Sequence, residues 1–127
     1  MTKTPRFQLV RTGPETIRWR LLGGNNVSLG SAASDFARTT DCLAAIDWLG
    51  GHLDELTVEF AHAGGGRWRW RLRTEDAVVA TATHAYGRRI EAQRGLDRFR
   101  LAAADATTQG VETISDWRTK YRTNSRH

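Results

Sequence analysis

The stretch Arg67-Trp68-Arg69-Trp70-Arg71-Leu72 alternates a basic residue with a large apolar residue at every step. Side chains of a β-strand point alternately to its two faces, so the apolar residues share one face and the arginines share the other. A shorter run of the same type, Arg18-Trp19-Arg20-Leu21, stands 51 positions earlier. The pattern predicts two equivalent strands, each with an apolar face toward the core and a basic face away from it.

The correspondence between the two halves extends beyond these strands. An offset of 50 aligns Phe36 with Tyr86 and Ile46 with Leu96. Solenoids and propellers with a repeat near this length need at least about three copies to bury their faces. Two copies therefore indicate a duplicated small domain.

Within each half, three short segments with alternating apolar residues precede a segment with apolar residues at helical spacing. The first helix is expected to begin at Thr39-Thr40-Asp41, whose side chains suit a helix N-terminus, and to loosen or end at Gly50-Gly51. Its apolar stripe is predicted to be Leu43, Ile46, Leu49 and Leu53. We predict an α+β fold with two tandem βββα repeats, in residues 1–54 and 55–106, forming an antiparallel sheet packed with helices.

A third segment follows the two repeats. Val111, Ile114, Trp117 or Arg118, and Tyr121 recur at steps of three or four residues. We expect a short helix within residues 107–127, followed by a basic tail.

The second half carries a resemblance to a known family. Its elements in chain order are Phe60, the run Gly66 to Leu72, Val78-Val79-Ala80-Thr81, Tyr86, and a helix with Ala92, Leu96 and Phe99. This order resembles the YegP-like family of small domains of unknown function. Glu75-Asp76 departs from the Asn-Gly turn usual in that family, and Gly87 follows Tyr86 instead of preceding it. The resemblance covers about residues 6–106 and implies two βββα units related by a pseudo-twofold axis, with no catalytic residues to carry over.

Composition bounds the class of protein. The chain has 127 residues, of which 39% are apolar and 26% charged, so disordered and fibrous classes are excluded. A single cysteine, Cys42, rules out a disulfide framework. No segment resembles a signal peptide or a membrane span, so we expect a cytoplasmic protein that does not bind a membrane.

Positive charge is concentrated in the second half. The net charge is +5, and residues 64–127 hold 13 basic against seven acidic residues. Such a surface attracts polyanions. The candidate residues for binding a polyanion or a partner are Arg18, Arg20, Arg67, Arg69, Arg71 and Arg73.

The tryptophans are expected to lie in the core. A platform that stacks on bases needs its aromatic and basic side chains on one face, whereas the alternation separates them. Large apolar side chains on one strand face are usually buried. The predicted core comprises Phe7, Trp19, Leu21, Ile46, Phe60, Trp68, Trp70, Leu72, Tyr86, Leu96 and Phe99.

Catalytic motifs are not evident in the sequence. Cys42 falls in the first turn of its helix, where the helix dipole lowers a thiol pKa, but His52 is about 15 Å further along the same helix. Gly64-Gly65-Gly66 lacks the Lys and Ser or Thr of a phosphate-binding loop, and no histidine or cysteine spacing suits zinc. We therefore expect a structural, buried Cys42, no cofactor, no metal and no enzymatic activity.

Three functional hypotheses follow from these observations, the third being a cysteine-dependent enzyme or redox sensor that acts through Cys42. The first is a non-enzymatic interaction or accessory module that binds a protein partner on a sheet edge or on its arginines. The alternative is nucleic-acid binding through phosphate contacts with the arginines alone. We expect a monomer in which the two repeats pack on each other, with a homodimer as the alternative.

Overall fold

The computed structural model describes the backbone of residues 4–114 and the side chains of residues 4–106. The remainder of the expected third helix and the basic tail lie outside the described residues. Seven strands, two α-helices and one short 3-10 helix follow one another along the described chain. They are β1 Arg6–Gly13, β2 Thr16–Leu22, β3 Ser28–Ala32, α1 Thr39–His52, the 3-10 helix Leu53–Glu55, β4 Thr57–His62, β5 Trp68–Arg73, β6 Val78–Ala82, α2 Arg89–Asp105 and β7 Thr107–Ile114.

The strands form one sheet in the order β4-β5-β6-β3-β2-β1-β7. The first six strands pair antiparallel and arise from two βββα units, β1 to α1 and β4 to α2. Strands β3 and β6 meet in the middle and join the two units into one sheet. The predicted α+β architecture of tandem βββα repeats is confirmed.

The central strand pair reveals the symmetry of the fold. Ser31 lies opposite Thr81, which is the equivalent residue at an offset of 50, and Ala32 lies opposite Ala80. Reversing the roles of the two units therefore reproduces the same pairing, and a pseudo-twofold axis passes between Ser31 and Thr81. A second repeated feature is an isolated antiparallel bridge, Ile17 to Phe36 in the first unit and Trp68 to Tyr86 in the second.

The core lies between one face of the sheet and the two helices. Trp70 is 0% exposed and packs its ring 4.7 Å from the ring of Phe99 on α2, which also stacks on Trp19 at 6.4 Å. A helix of the second unit therefore packs on strands of both units. Of the residues expected in the core, Phe7, Trp19, Leu21, Ile46, Trp70, Leu72, Leu96 and Phe99 are buried, whereas Phe60, Trp68 and Tyr86 are partly buried.

Helix α1 differs from its sequence-based description in three respects. Its buried stripe begins with Cys42, whereas Leu43 is 37% exposed. The residue before the helix is Arg38, and no side chain caps the N-terminus. The helix includes Gly50 and Gly51 and ends one residue later, at His52, since a glycine weakens a helix by only about 1 kcal/mol.

The expected C-terminal helix is wrong for residues 107–114, which form strand β7 parallel to β1. Five of these eight residues are β-branched, and such residues favour strands: Thr107, Thr108, Val111, Thr113 and Ile114. Strand β1 would otherwise be the sheet edge, and its unpaired backbone groups offer hydrogen bonds that a helix would leave unused. Among residues 4–114 no helix is long and apolar enough to cross a membrane.

Candidate functional site

The sheet face opposite the helices carries five of the six candidate arginines. Arg18 and Arg20 lie on β2, and Arg69, Arg71 and Arg73 lie on β5, in alternation with buried residues of the core. We call the surface formed by these five side chains the arginine face. The sixth candidate, Arg67, precedes β5 in an exposed turn, where its N–H donates to the carbonyl of Gly64 at 3.1 Å. Three consecutive glycines at positive φ, Gly64 to Gly66, make that turn, so Arg67 does not open the strand as the alternation suggested.

A single polar row crosses the arginine face through six strands. Residues of adjacent strands are direct neighbours in this row, and its order is Gln8, Arg20, Ser31, Thr81, Arg71 and Glu59. The row is arranged about the pseudo-twofold axis, with two hydroxyl-bearing residues at the centre and one arginine on either side. Three strand spacings separate the two arginines, which places their backbones about 14 Å apart.

Further hydroxyl groups surround the centre of this row. The hydroxyls of Ser28 and Thr83 hydrogen-bond each other at 2.7 Å across the two units. A hollow of about 190 Å³ beside them is lined by Arg18, Arg20 and Ser31 among others. The centre of the face is therefore polar, with donors that suit oxyanions.

In the first unit, both arginines of β2 have partners from the same unit. The Nε atom of Arg18 lies 2.9 Å from a carboxylate oxygen of Asp35, which also accepts a hydrogen bond from Thr12. The Nε–H of Arg20 donates to the amide oxygen of Gln8 at 2.7 Å. Asp35 neutralises Arg18, while Gln8 orients Arg20 without cancelling its charge.

The second unit leaves more positive charge uncompensated. Glu59 serves two arginines, with its carboxylate 3.1 Å from Arg73 and 3.9 Å from Arg71. The exposed Arg69 has no acidic partner among the described residues, although it occupies the position equivalent to Arg18. The reason is a sequence difference between the units, because Ala85 stands where the first unit has Asp35.

The acidic residues of α2 do not compensate this charge. Glu91 and Asp97 are exposed on a helix that packs on the other face of the sheet. The acidic residues that do compensate the arginines, Asp35 and Glu59, were not identified from the sequence. Glu59 alternates with Val58 and Phe60 on β4, which places its carboxylate on the arginine side and was readable from the sequence.

No strand residue that shares the arginine face with Arg69 is aromatic within residues 6–82. Trp70 is buried on the helix side, and Trp68 lies at the end of β5 with its ring centroid 4.2 Å from that of the exposed His62. Within these strands the face therefore offers guanidinium and hydroxyl groups but no aromatic ring for stacking.

Cys42 is unsuited to nucleophilic chemistry. Its side chain is 0% exposed, and burial raises the pKa of its thiol from 9.0 to about 11, although a backbone hydrogen bond with Trp19 lowers it in part. Burial outweighs this hydrogen bond, because removing a thiolate from water costs more than the hydrogen bond returns. Among the described residues no group of three His, Cys, Asp or Glu side chains is arranged to hold a metal ion.

The helix side carries a cleft of about 690 Å³ between the β2–β3 turn and α2. Val27, Leu29 and Leu101 contribute apolar walls, and Tyr86 and Arg98 contribute polar groups. The symmetry-related cleft against α1 has a volume of about 200 Å³ and is lined by Trp48, the counterpart of Arg98. The sequence pattern did not point to either cleft.

Comparison with known proteins identifies the fold. No family model matches the chain, and no curated protein matches it. The solution structure of yegP from E. coli, described as a protein of unknown function, matches with a TM-score of 0.68 and 14% identity over 91% of this chain and 97% of that one. The solution structure of UPF0339 protein SO3888 from Shewanella oneidensis matches with a TM-score of 0.64 and 9% identity over 88% and 92%. The resemblance predicted from the Trp-Arg repeat is thus confirmed in three dimensions, and the chain has the YegP-like fold.

Proposed function

We propose that the chain is a non-enzymatic interaction module that binds an acidic protein segment through the arginine face. Arg69 carries this proposal, because it is exposed and lacks the carboxylate that its counterpart Arg18 has. Of the three arginines of β5, Arg71 and Arg73 share the single carboxylate of Glu59 and Arg69 has none, so this half of the face keeps a positive charge. Glutamate and aspartate side chains suit such a surface, since guanidinium groups bind carboxylates in a bidentate geometry.

The duplicated architecture supplies a matched pair of variants. Arg69→Ala and Arg18→Ala remove the same charge at equivalent positions, one without an acidic partner and one already neutralised by Asp35. A labelled oligoglutamate peptide serves as the probe in fluorescence anisotropy at low salt. We expect Arg69→Ala to weaken binding about fivefold, which corresponds to about 1 kcal/mol, and Arg18→Ala to have less effect.

A third variant tests the cause of the asymmetry. Ala85→Asp introduces a carboxylate at the position equivalent to Asp35. This carboxylate is expected to neutralise Arg69 and to lower the affinity for the peptide. The reverse variant, Asp35→Ala, removes the carboxylate that neutralises Arg18 and should raise the affinity for the peptide. Equal effects of Arg69→Ala and Arg18→Ala, or no measurable affinity for the peptide, would contradict the proposal.

Nucleic-acid binding is the second candidate, supported by arginines spaced about 6.6 Å apart along β5 without intervening acids on that strand. A single-stranded oligonucleotide with the same total charge as the peptide separates the two ligands. Phosphate contacts predict a log–log slope of affinity against salt of about −0.7 per neutralised phosphate. Tighter binding of the oligonucleotide than of the peptide, abolished by Arg69→Ala, would favour this candidate.

A further inference from the structure

We propose that the free edge of β4 accepts an extended segment of a partner protein as an additional strand, parallel to β4. The pseudo-twofold axis makes β1 and β4 equivalent, and they pair with β2 and β5 in corresponding registers. The outer edge of β1 is covered by β7, whereas β4 is the last strand on its side within residues 4–114. Strand β7 on β1 is therefore a model for the strand that would pair with the equivalent edge of β4.

Hydrogen bonding defines which groups of β4 point outward. The N–H of Ala63 donates to the carbonyl of Arg67 at 2.9 Å, so this pair is a hydrogen-bonded one, and such pairs alternate along an antiparallel ladder. Trp68 exchanges both of its backbone hydrogen bonds with Tyr86 instead, at 2.7 Å each. The alternation leaves the backbone groups of Val58 and Phe60 directed away from β5 and toward the free edge.

The edge also lacks the usual features that prevent strand addition. Its sequence from Thr57 to His62 contains no proline and one acidic residue, Glu59. Val58 and Phe60 are only partly buried, and the guanidinium of Arg89 lies over the Phe60 ring at 4.4 Å. A further strand would complete the burial of these two side chains, as well as pairing their backbone groups.

The register of β7 indicates the chemistry of the segment. Gln8, Leu9 and Val10 lie opposite Glu112, Thr113 and Ile114. Glu59 replaces Gln8 in the second unit, and like charges on adjacent strands repel each other. The segment is therefore an extended, β-branched stretch with a basic residue where β7 has Glu112.

The experiment uses the full-length ¹⁵N-labelled chain and two synthetic peptides of residues 107–114, one natural and one with Glu112→Lys. Amide hydrogen exchange of Val58 and Phe60 is measured first in the free protein and then with each peptide. We expect fast exchange at both amides in the free protein, protection on addition of peptide, and affinity about 1.5- to 5-fold higher for the lysine peptide.

Two variants locate the effect on the edge. Val58→Pro removes an outward N–H without breaking the ladder to β5 and should abolish protection at Phe60, whereas Val58→Ala trims the side chain and retains the N–H. Light scattering of the free protein reports whether a second copy occupies the edge. The proposal is overturned if the two amides are already protected in the free protein, or if neither peptide protects them at millimolar concentration.

Discussion

Ser31 lies directly opposite Thr81 at the centre of the sheet, and each is the counterpart of the other in the two βββα units. Within the described part of the chain, the backbone hydrogen bonds that join the two units lie between β3 with the adjacent Ala33 and β6. The core is also shared, because Phe99 of the second unit stacks on Trp19 of the first. Neither unit thus has a complete core of its own. The two units therefore share one core and one sheet, and they differ in how their arginines are paired with carboxylates.

This shared core predicts that the halves do not fold separately. In a fragment of residues 1–54, Trp19 loses its contact with Phe99 and the edge of β3 loses its pairing with β6. A chain of about 50 residues buries too little other surface to remain folded without these contacts. We expect the fragments 1–54 and 55–127 to be unfolded alone by circular dichroism and to regain structure when mixed. A cooperative thermal transition in the isolated 1–54 fragment would contradict this.

Gly30 is predicted to be intolerant of a side chain. A Cβ atom there would lie 2.7 Å from Phe99 and 2.8 Å from Trp70, so Gly30→Ala should destabilise the protein by about 1 to 3 kcal/mol. Gly50→Ala is the control, because a Cβ on that helical residue meets nothing within 4 Å. Urea denaturation should show the control stabilised by about 0.5 to 1 kcal/mol. An unchanged free energy of unfolding for Gly30→Ala would mean that the Phe99 ring can move aside.

The tryptophans are expected to contribute unequally to stability. Trp70→Ala removes a fully buried ring and should cost about 3 to 5 kcal/mol, enough to unfold a marginal domain. Trp48 is 39% exposed and stacks on His52, so Trp48→Ala should cost about 1 kcal/mol or less. Chemical denaturation of both variants measures the difference. Similar decreases in the free energy of unfolding for the two variants would show that Trp48 is part of the core.

Cys42 is predicted to be unreactive in the folded protein. With a thiol pKa near 11 instead of 9.0, the thiolate fraction at neutral pH falls about 100-fold, and burial further limits access. Iodoacetamide should therefore alkylate the native chain far more slowly than the chain unfolded in guanidinium. Comparable rates would indicate an accessible, activated thiol.

The same pKa predicts a pH dependence of stability. Because the thiol pKa is higher in the folded state, the unfolded state loses its proton first as the pH rises, so the stabilisation is complete below pH 9.0 and is lost toward pH 11. The loss attributable to Cys42 is at most about 2 to 3 kcal/mol. Ala92 is its counterpart in α2, which makes Cys42→Ala a suitable control. That variant should lose less stability than the wild type between these pH values.

Much of the fold was readable from local patterns. The alternation around Trp70 determined which residues face the helices, because a strand has a strict two-residue period. The offsets of 51 and 50 identified equivalent residues, and the bridges at Phe36 and Tyr86 lie where those offsets place them. The candidate arginines were readable for the same reason, except that Arg67 belongs to the glycine turn.

The segment after α2 was decided by tertiary structure. Val111 and Ile114 are compatible with both a helix and a strand over so short a stretch, and local pattern does not distinguish them. The open edge of β1 selected the strand. Strand β1 lies about 100 residues before β7 in the chain, so the local sequence of β7 carries no signal of this pairing.

The sequence by itself determined two βββα units, the buried face of each strand and the basic character of the opposite face, since these follow from residue periodicity. Tertiary structure alone decided which arginine keeps its charge. Asp35 neutralises Arg18 across 17 positions, because the bridge of Phe36 to Ile17 brings their chain segments together. Glu59 reaches Arg73 across 14 positions through the register of β4 on β5. Arg69 is left without a carboxylate because Ala85, which precedes the equivalent bridge of Tyr86 to Trp68, stands where the first unit has Asp35.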